Sequence, residues 1–133
     1  MTDRTETTLF RLGDFVSHSG IPMHWKIECD ALTDRDWECL AYLAAQLLPA
    51  FGSVEGVPVG GIKFANALQQ YVTVGPHLIA DDVTSTGQSL EQARNGRQAI
   101  GVAAFSRGAC PAWVIPIFTW SGFLSPMDEP AQT

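Results

Sequence analysis

The sequence predicts a compact α/β fold, with a mainly parallel β-sheet flanked by helices. Apolar runs of strand length alternate with helical segments along most of the chain. The later runs, residues 99–105 and 112–120, are almost continuously apolar, which is typical of parallel strands covered on both faces. Ligands of such sheets bind beyond the carboxyl ends of the strands. We therefore expect the functional residues in the loops that follow the strands.

Bulk properties narrow the class of protein. The chain has 133 residues, so we expect one domain over residues 1–133. A net charge of −6 argues against nucleic-acid binding, and no apolar run approaches the roughly 18 residues that span a membrane. Residues 1–8 are polar, unlike a signal peptide. Three cysteines without metal-site spacing are best explained as free thiols in a reducing compartment: Cys29, Cys39 and Cys110. These features predict a cytoplasmic protein with a small-molecule ligand.

The first structural elements are a strand and a long helix. Alternation over residues 24–28 puts Trp25 and Ile27 on one side of a strand that lies over a core, with Lys26 on the polar side. A helix is predicted over residues 33–48, with Thr33 as its N-cap and apolar residues at helical spacing. We assign this helix no chemistry.

A strand, a turn and a helix follow at residues 53–68. Val54, Val57 and Val59 indicate a strand that ends in the turn 58–61, and residues 62–68 are predicted to form a helix. Two successive glycines in a turn allow the backbone to approach a bound anion closely. Lys63 lies just inside the helix, where it would either neutralise an anion or remain a surface lysine.

Residues 78–89 carry the most specific chemistry of the chain. An apolar run leads to Asp81 and Asp82, then to a turn rich in hydroxyl groups, and a helix is predicted from Leu90 to Asn95. Hydroxyls, a glycine and the start of a helix suit a phosphate. Carboxylates accept hydrogen bonds only, so they suit sugar hydroxyls or a divalent cation. Together they predict a sugar-phosphate site, whose phosphate-binding residues are Thr84, Ser85, Thr86, Gly87, Gln88 and Ser89.

The stretch 78–89 resembles the phosphoribosyl-diphosphate (PRPP) signature of type I phosphoribosyltransferases, with Ser85 where a threonine is usual. The resemblance implies that Asp81 and Asp82 face the ribose hydroxyls and that the following loop surrounds the 5′-phosphate. It also implies Mg²⁺ bound together with PRPP, in indirect contact with the two aspartates, and a homodimer. An Asp-rich turn before an ordinary helix is the alternative.

Two further stretches resemble the same family. Gly56, followed by Pro58, Val59, Gly60 and Gly61, resembles its diphosphate-binding loop, to which Lys63 would add a charge. Residues 12–20 and the strand after them resemble the N-terminal hood of orotate phosphoribosyltransferases, so we assign 9–30 to a hood, 31–120 to the core and 121–133 to a loose tail. His18 stands where that family has a lysine. His18, Lys26 and Arg107, which closes the strand 99–105, are candidate contacts to base or ligand.

One departure from the family concerns catalysis. Only 19 residues (62–80) separate Gly61 from Asp81, and residues 71–77 contain no Lys or Arg, whereas orotate enzymes have a long cationic loop there. A departing diphosphate needs cationic help and exclusion of water. Three alternatives stay open: transfer of phosphoribose to an orotate-type base, a non-catalytic sensor or structural protein with this fold, and a lid supplied by a neighbouring subunit.

Overall fold

The computed structural model describes residues 8–16, 20 and 22–119. They fall into two compact units, one up to residue 32 and one from residue 33 onwards, and each is described by itself. His18 and the predicted tail 121–133 lie outside the described residues.

The first unit is a β-hairpin followed by a short 3₁₀ turn at Cys29–Ala31. Strand β1 (Phe10–Val16) pairs antiparallel with β2 (Pro22–Ile27), with an irregularity between Leu12 and Phe15. Trp25 and Ile27 are buried, as the alternation predicted. Strand β1 was not predicted, because Gly13 and Asp14 interrupt its apolar pattern.

Helix α1 (Asp34–Leu47) opens the second unit, and its start and its apolar stripe match the prediction. The Thr33 hydroxyl accepts from the Asp36 N–H at 3.1 Å, and the Asp36 carboxylate accepts from the Thr33 N–H at 2.9 Å. This reciprocal capping satisfies two N–H groups that a helix start leaves without partners. Trp37 of α1 lies 5.4 Å, between ring centroids, from Phe64 of the next helix.

Four parallel strands form the sheet, in the order β3 (Ser53–Gly56), β4 (His77–Thr84), β5 (Ile100–Ser106) and β6 (Val114–Thr119). Helix α2 (Ile62–Leu68) connects β3 to β4, and α3 (Gln88–Arg94) connects β4 to β5. Leu78, Ile79 and Ala80 are consecutive in β4 and all fully buried. Since successive side chains point to opposite faces, both faces of the sheet are covered. The predicted α/β fold with a parallel sheet is confirmed.

Element boundaries differ from the prediction at three places. Strand β3 ends at Gly56, and the Gly-rich turn follows Val57, whose N–H still donates to the Ala80 carbonyl of β4. Strand β4 continues through the acidic pair to Thr84, and α3 begins at Gln88, two residues before the predicted start. One core cluster joins the sheet to α3, and it comprises Val57, Ile79, Leu90, Ala103 and Val114. Among the described residues, no helix is long and apolar enough to cross a membrane.

Candidate functional site

Three loops meet at the carboxyl edge of the parallel sheet. The Val57 N–H, after β3, donates to the Ala80 carbonyl of β4 at 2.8 Å. The Arg107 N–H, after β5, donates to the Thr84 carbonyl at the end of β4 at 2.9 Å. The Gly-rich turn, the acidic pair and the end of β5 are therefore neighbours, as expected for a site at this edge.

The acidic pair belongs to β4 itself and not to the turn after it. Asp81 is only 5% exposed, and one of its oxygens accepts from the Asp82 N–H at 2.8 Å. Asp82 is half-buried, and it accepts from the Val83 N–H at 2.7 Å. Each carboxylate is thus held by the next backbone N–H along the chain.

The two carboxyl groups share a site that disfavours two negative charges. Burial, together with the hydrogen bond and charge of the neighbouring Asp82 carboxylate, raises the pKa of Asp81 to about 8. Near neutral pH Asp81 therefore carries a proton. Protonated, it is a hydrogen-bond donor as well as an acceptor. The pair can consequently donate to and accept from the hydroxyl groups of a sugar.

The hydroxyl-rich loop after β4 is organised by its own side chains. The Thr84 hydroxyl oxygen accepts from the Gly87 N–H at 3.0 Å, and the Thr86 oxygen accepts from the Gln88 N–H at 3.3 Å. These two N–H groups are engaged within the loop, which the sequence prediction did not anticipate. Each threonine keeps its hydroxyl proton for donation, and Ser85, Thr86, Gln88 and Ser89 are exposed. Their polar groups are accessible to an anion.

Gly87 has a positive φ of 84°, a conformation that glycine adopts at little cost. A Cβ atom there would come within 2.7 Å of the Pro111 ring. Pro111 therefore lies directly against the loop and supports it. Sequence reasoning missed this residue, because 24 positions separate it from Gly87 and no local pattern links them.

The Gly-rich turn lies directly against the acidic pair. A Cβ atom on Gly60 would come within 2.3 Å of an Asp82 carboxylate oxygen, and one on Gly61 would come within 2.4 Å of the Ala80 carbonyl. A side chain at position 60 would displace the Asp82 carboxylate, and one at position 61 would meet the backbone. Pro58, Val59 and Gly60 are exposed, and the peptide bond between Pro58 and Val59 is cis. The structure thus brings together the two stretches that sequence motifs had indicated separately.

The candidate cations are distributed over several elements. Lys63 is exposed in α2, and Arg107 is half-buried at the end of β5, beside the phosphate loop. Lys26 belongs to the hairpin unit, where its Nζ lies 3.2 Å from a Glu28 oxygen and 4.7 Å from the centre of the Phe15 ring. Lys26 thus contacts residues of its own hairpin, and its contact with a ligand stays a prediction.

Residues 69–76, between α2 and β4, lie near the amino ends of the strands, at the other end of the sheet from the acidic pair. The Thr73 N–H donates to the Phe51 carbonyl at 2.8 Å, and the Gly52 N–H donates to the Pro76 carbonyl at 3.0 Å. Gly52 and Gly75 are so close that a Cβ on Gly52 would come within 2.6 Å of the Gly75 oxygen. This segment precedes the start of β4 at His77, whereas the acidic pair lies near the strand's end. It does not cover the acidic pair of its own chain.

Asp81 and Asp82 are the candidate ligands for a divalent cation. In the described part of the chain, no group of three or more His, Cys, Asp or Glu side chains could hold a metal ion. Burial and the neighbouring carboxylate raise the pKa of Asp81, so Asp82 is the carboxylate that is better suited to a cation. Mg²⁺ usually binds one or two carboxylates together with substrate phosphates and water. The residues fit an ion that arrives with a phosphorylated substrate.

This combination of parallel sheet, acidic strand end, hydroxyl-rich loop and Gly-rich turn is a type I phosphoribosyltransferase-like fold. Solved structures with the same fold include UMP synthase from Leishmania donovani, with a TM-score of 0.68 and 18% identity. Orotate phosphoribosyltransferases from Aeropyrum pernix (TM-score 0.65, 19% identity) and Mycobacterium tuberculosis H37Rv (0.60, 14%) are also similar. The match to UMP synthase covers 84% of this chain and 33% of that chain. The match to the Aeropyrum pernix enzyme covers 84% of this chain and 88% of that chain, and the match to the Mycobacterium tuberculosis enzyme covers 83% and 89%. The chain thus spans about a third of that UMP synthase. No protein-family model and no curated protein sequence matches it.

Proposed function

We propose that this protein binds PRPP, or the nucleoside monophosphate formed from it, at the carboxyl edge of its sheet. The observation that carries the proposal is the contact of Gly60 with the Asp82 carboxylate, on the same strand that leads into the loop 84–89. A sugar held by the acidic pair would have one phosphate-binding loop on either side. PRPP has this arrangement, with a 5′-phosphate and a 1-diphosphate on one ribose.

Each group has a role that follows from its chemistry. The Asp81 and Asp82 pair exchanges hydrogen bonds with the ribose hydroxyls, and its single negative charge near neutral pH repels the phosphates less than two would. The hydroxyls of the loop 84–89 and the N–H groups of its first helical turn receive the 5′-phosphate. Residues 58–61 receive the diphosphate, and Lys63 adds a positive charge. Asp82 would hold Mg²⁺ indirectly, together with PRPP, and the ion would neutralise charge on the diphosphate.

We further propose transfer of the phosphoribosyl group to an orotate-type base. The similarity to orotate phosphoribosyltransferase structures supports this chemistry through the fold. Arg107, beside the end of β4, is the candidate contact to base or diphosphate, and His18 and Lys26 of the hood are further candidates. A cytoplasmic homodimer is the expected form of the protein.

A second candidate function is binding without turnover, as a PRPP or nucleotide sensor or a structural protein with this fold. This function is favoured by the hydrogen bonds that hold residues 73–76 at the amino ends of the strands, away from the acidic pair. No Lys or Arg occurs in residues 71–77, so this segment has no cation with which to stabilise a departing diphosphate. A lid from a second subunit would restore catalysis.

Two measurements distinguish these functions. Calorimetric titration with PRPP and Mg²⁺ measures binding, and an assay of diphosphate release with a panel of bases that includes orotate measures turnover. Binding together with release identifies a transferase, and a rate per chain that rises with protein concentration would indicate a lid from a second subunit. Binding without release identifies the sensor. Absence of binding would contradict both functions.

A further inference from the structure

A second group of polar side chains lies at the amino ends of β3 and β4. Ser53 and Glu55 are two residues apart in β3, so they share one face of the strand. His77 pairs in register with Ser53. From His77 to Asp81 the strand runs four residues, or about 13 Å, so this group is separate from the sugar-phosphate site.

The three side chains form a continuous hydrogen-bonded chain. The Ser53 hydroxyl oxygen lies 2.6 Å from His77 Nδ1, and His77 Nε2 lies 2.7 Å from a Glu55 carboxylate oxygen. An Arg97 guanidinium nitrogen donates to the same Glu55 oxygen at 3.1 Å. Arg97 is itself fixed, because its Nε donates to the Arg94 carbonyl at 3.0 Å and its Nη2 to the Ala93 carbonyl at 2.6 Å.

The charges of the group orient the imidazole. Partial burial acts to raise the pKa of Glu55, but hydrogen bonds from His77 and Arg97 and the charge of Arg97 outweigh it, so the pKa lies below its usual range. Glu55 is therefore ionised near neutral pH and accepts from a proton on His77 Nε2. When the neutral imidazole carries its proton on Nε2, Nδ1 has a free lone pair, and this lone pair faces the Ser53 hydroxyl. A hydroxyl group is activated as a nucleophile when it is hydrogen-bonded to a base and a carboxylate orients that base. Ser53, His77 and Glu55 have this arrangement.

Access to the serine agrees with such a role. Ser53 is exposed, whereas the side chains of His77 and Glu55 are 26% and 38% exposed. Strand β3 is an edge strand of the described sheet. The Ser53 hydroxyl is therefore accessible to a small ester.

We propose that Ser53, His77 and Glu55 form a second reactive site, which accepts acyl groups from small activated carboxylic esters. Ser53 Oγ bonds to the carbonyl carbon of the ester while its proton passes to His77 Nδ1. The bond to the leaving alcohol then breaks, and His77 returns the proton to that alcohol. Water then bonds to the carbonyl carbon of the acyl-serine while one of its protons passes to His77 Nδ1. The bond to Ser53 Oγ breaks, His77 returns the proton to that oxygen, and the carboxylic acid is released. Glu55 is a positioning residue, and Arg97 holds it in place.

The test uses p-nitrophenyl acetate and the full chain. Protein is acid-quenched at successive times, the acetylated peptide is identified by mass spectrometry, and the release of p-nitrophenol is followed by absorbance. One acetyl group is expected at Ser53, and Ser53→Ala should lose it. His77→Gln should slow acetylation of Ser53 roughly a hundred- to ten-thousandfold, as for the loss of a general base. His24→Gln is the matched control, because His24 is an exposed histidine in the hairpin unit, and it should react like the wild type.

Glu55→Gln separates positioning from a purely structural role. It should lower the rate of Ser53 acetylation and leave unchanged the fraction of chains that become acetylated. A structural role would lower that fraction at an unchanged rate. If His77→Gln does not fold, as judged by circular dichroism, Glu55→Gln decides the question. Acetylation elsewhere than Ser53, or equal rates in wild type, His77→Gln and Glu55→Gln, would overturn the proposal.

Discussion

Replacement of Asp81 by asparagine should stabilise the protein, and the gain should grow with pH. The carboxyl group of Asp81 has an ordinary pKa of 3.8 and a pKa of about 8 in the folded chain. Between these values the folded state binds more protons than the unfolded state, so stability falls as pH rises. Asparagine is neutral at every pH and keeps an oxygen to accept from the Asp82 N–H.

The magnitude follows from the difference between the two pKa values. Each pH unit in this window corresponds to about 1.4 kcal/mol. Relative to the wild type, Asp81→Asn should therefore gain about 3 to 4 kcal/mol in unfolding free energy between pH 5 and pH 8. The comparison between two pH values removes any constant difference between asparagine and protonated aspartate.

Urea unfolding of both proteins at pH 5, 6, 7 and 8 measures this gain. Asp34→Asn, in the exposed first turn of α1, controls for the loss of one carboxylate. If the difference between Asp81→Asn and wild type is the same at pH 5 and pH 8, Asp81 is ionised in the folded state and the reasoning is wrong. The expected result would show that the acidic pair is retained at a cost in stability, as is common at binding sites.

Four further substitutions test the loops of the site. Gly60→Ala should leave stability within about 1 kcal/mol of wild type, because only the side chain of Asp82 must rotate, but it should weaken PRPP binding measured by calorimetry. Gly61→Ala meets the backbone and should lower the unfolding free energy by about 2 kcal/mol or more; equal stability of the two variants would contradict the described packing. Thr84→Val should cost about 1–3 kcal/mol, since the buried Gly87 N–H loses its acceptor, whereas wild-type stability would show that this hydrogen bond is dispensable. Gly87→Ala should destabilise through its positive φ and the contact with Pro111, by about 1 kcal/mol or more, and an unchanged urea midpoint would count against that geometry.

Local signals were sufficient for much of the fold. The cap at Thr33, the apolar stripe of α1 and the strand-turn-helix order at residues 78–94 all depend on neighbours within a few positions, and the structure agrees with them. Strand β1 was missed because Gly13 and Asp14 break its pattern. Its position depends on pairing with β2, which lies beyond the reach of local periodicity.

The common location of the candidate site was predictable, because loops that follow parallel strands lie at the same end of a sheet. The direct approach of Gly60 to Asp82 was not, since it depends on how the turn after β3 packs against β4. The raised pKa of Asp81 depends on its burial within β4, whereas the sequence predicted only that the pair follows the apolar run and precedes the turn. The group of Ser53, Glu55 and His77 gave no sequence signal, because its members lie up to 24 residues apart.

Calorimetric titration of wild type, Asp82→Asn and Asp34→Asn with PRPP and Mg²⁺ tests the central claim most directly. Both variants lose one negative charge, and the asparagine at position 82 can still accept from the Val83 N–H. We expect Asp82→Asn to weaken PRPP binding about ten- to a hundredfold, as for the loss of a hydrogen bond to a charged group, and Asp34→Asn to bind like the wild type. Equal affinities in all three proteins would contradict the assignment of the acidic pair to the ribose.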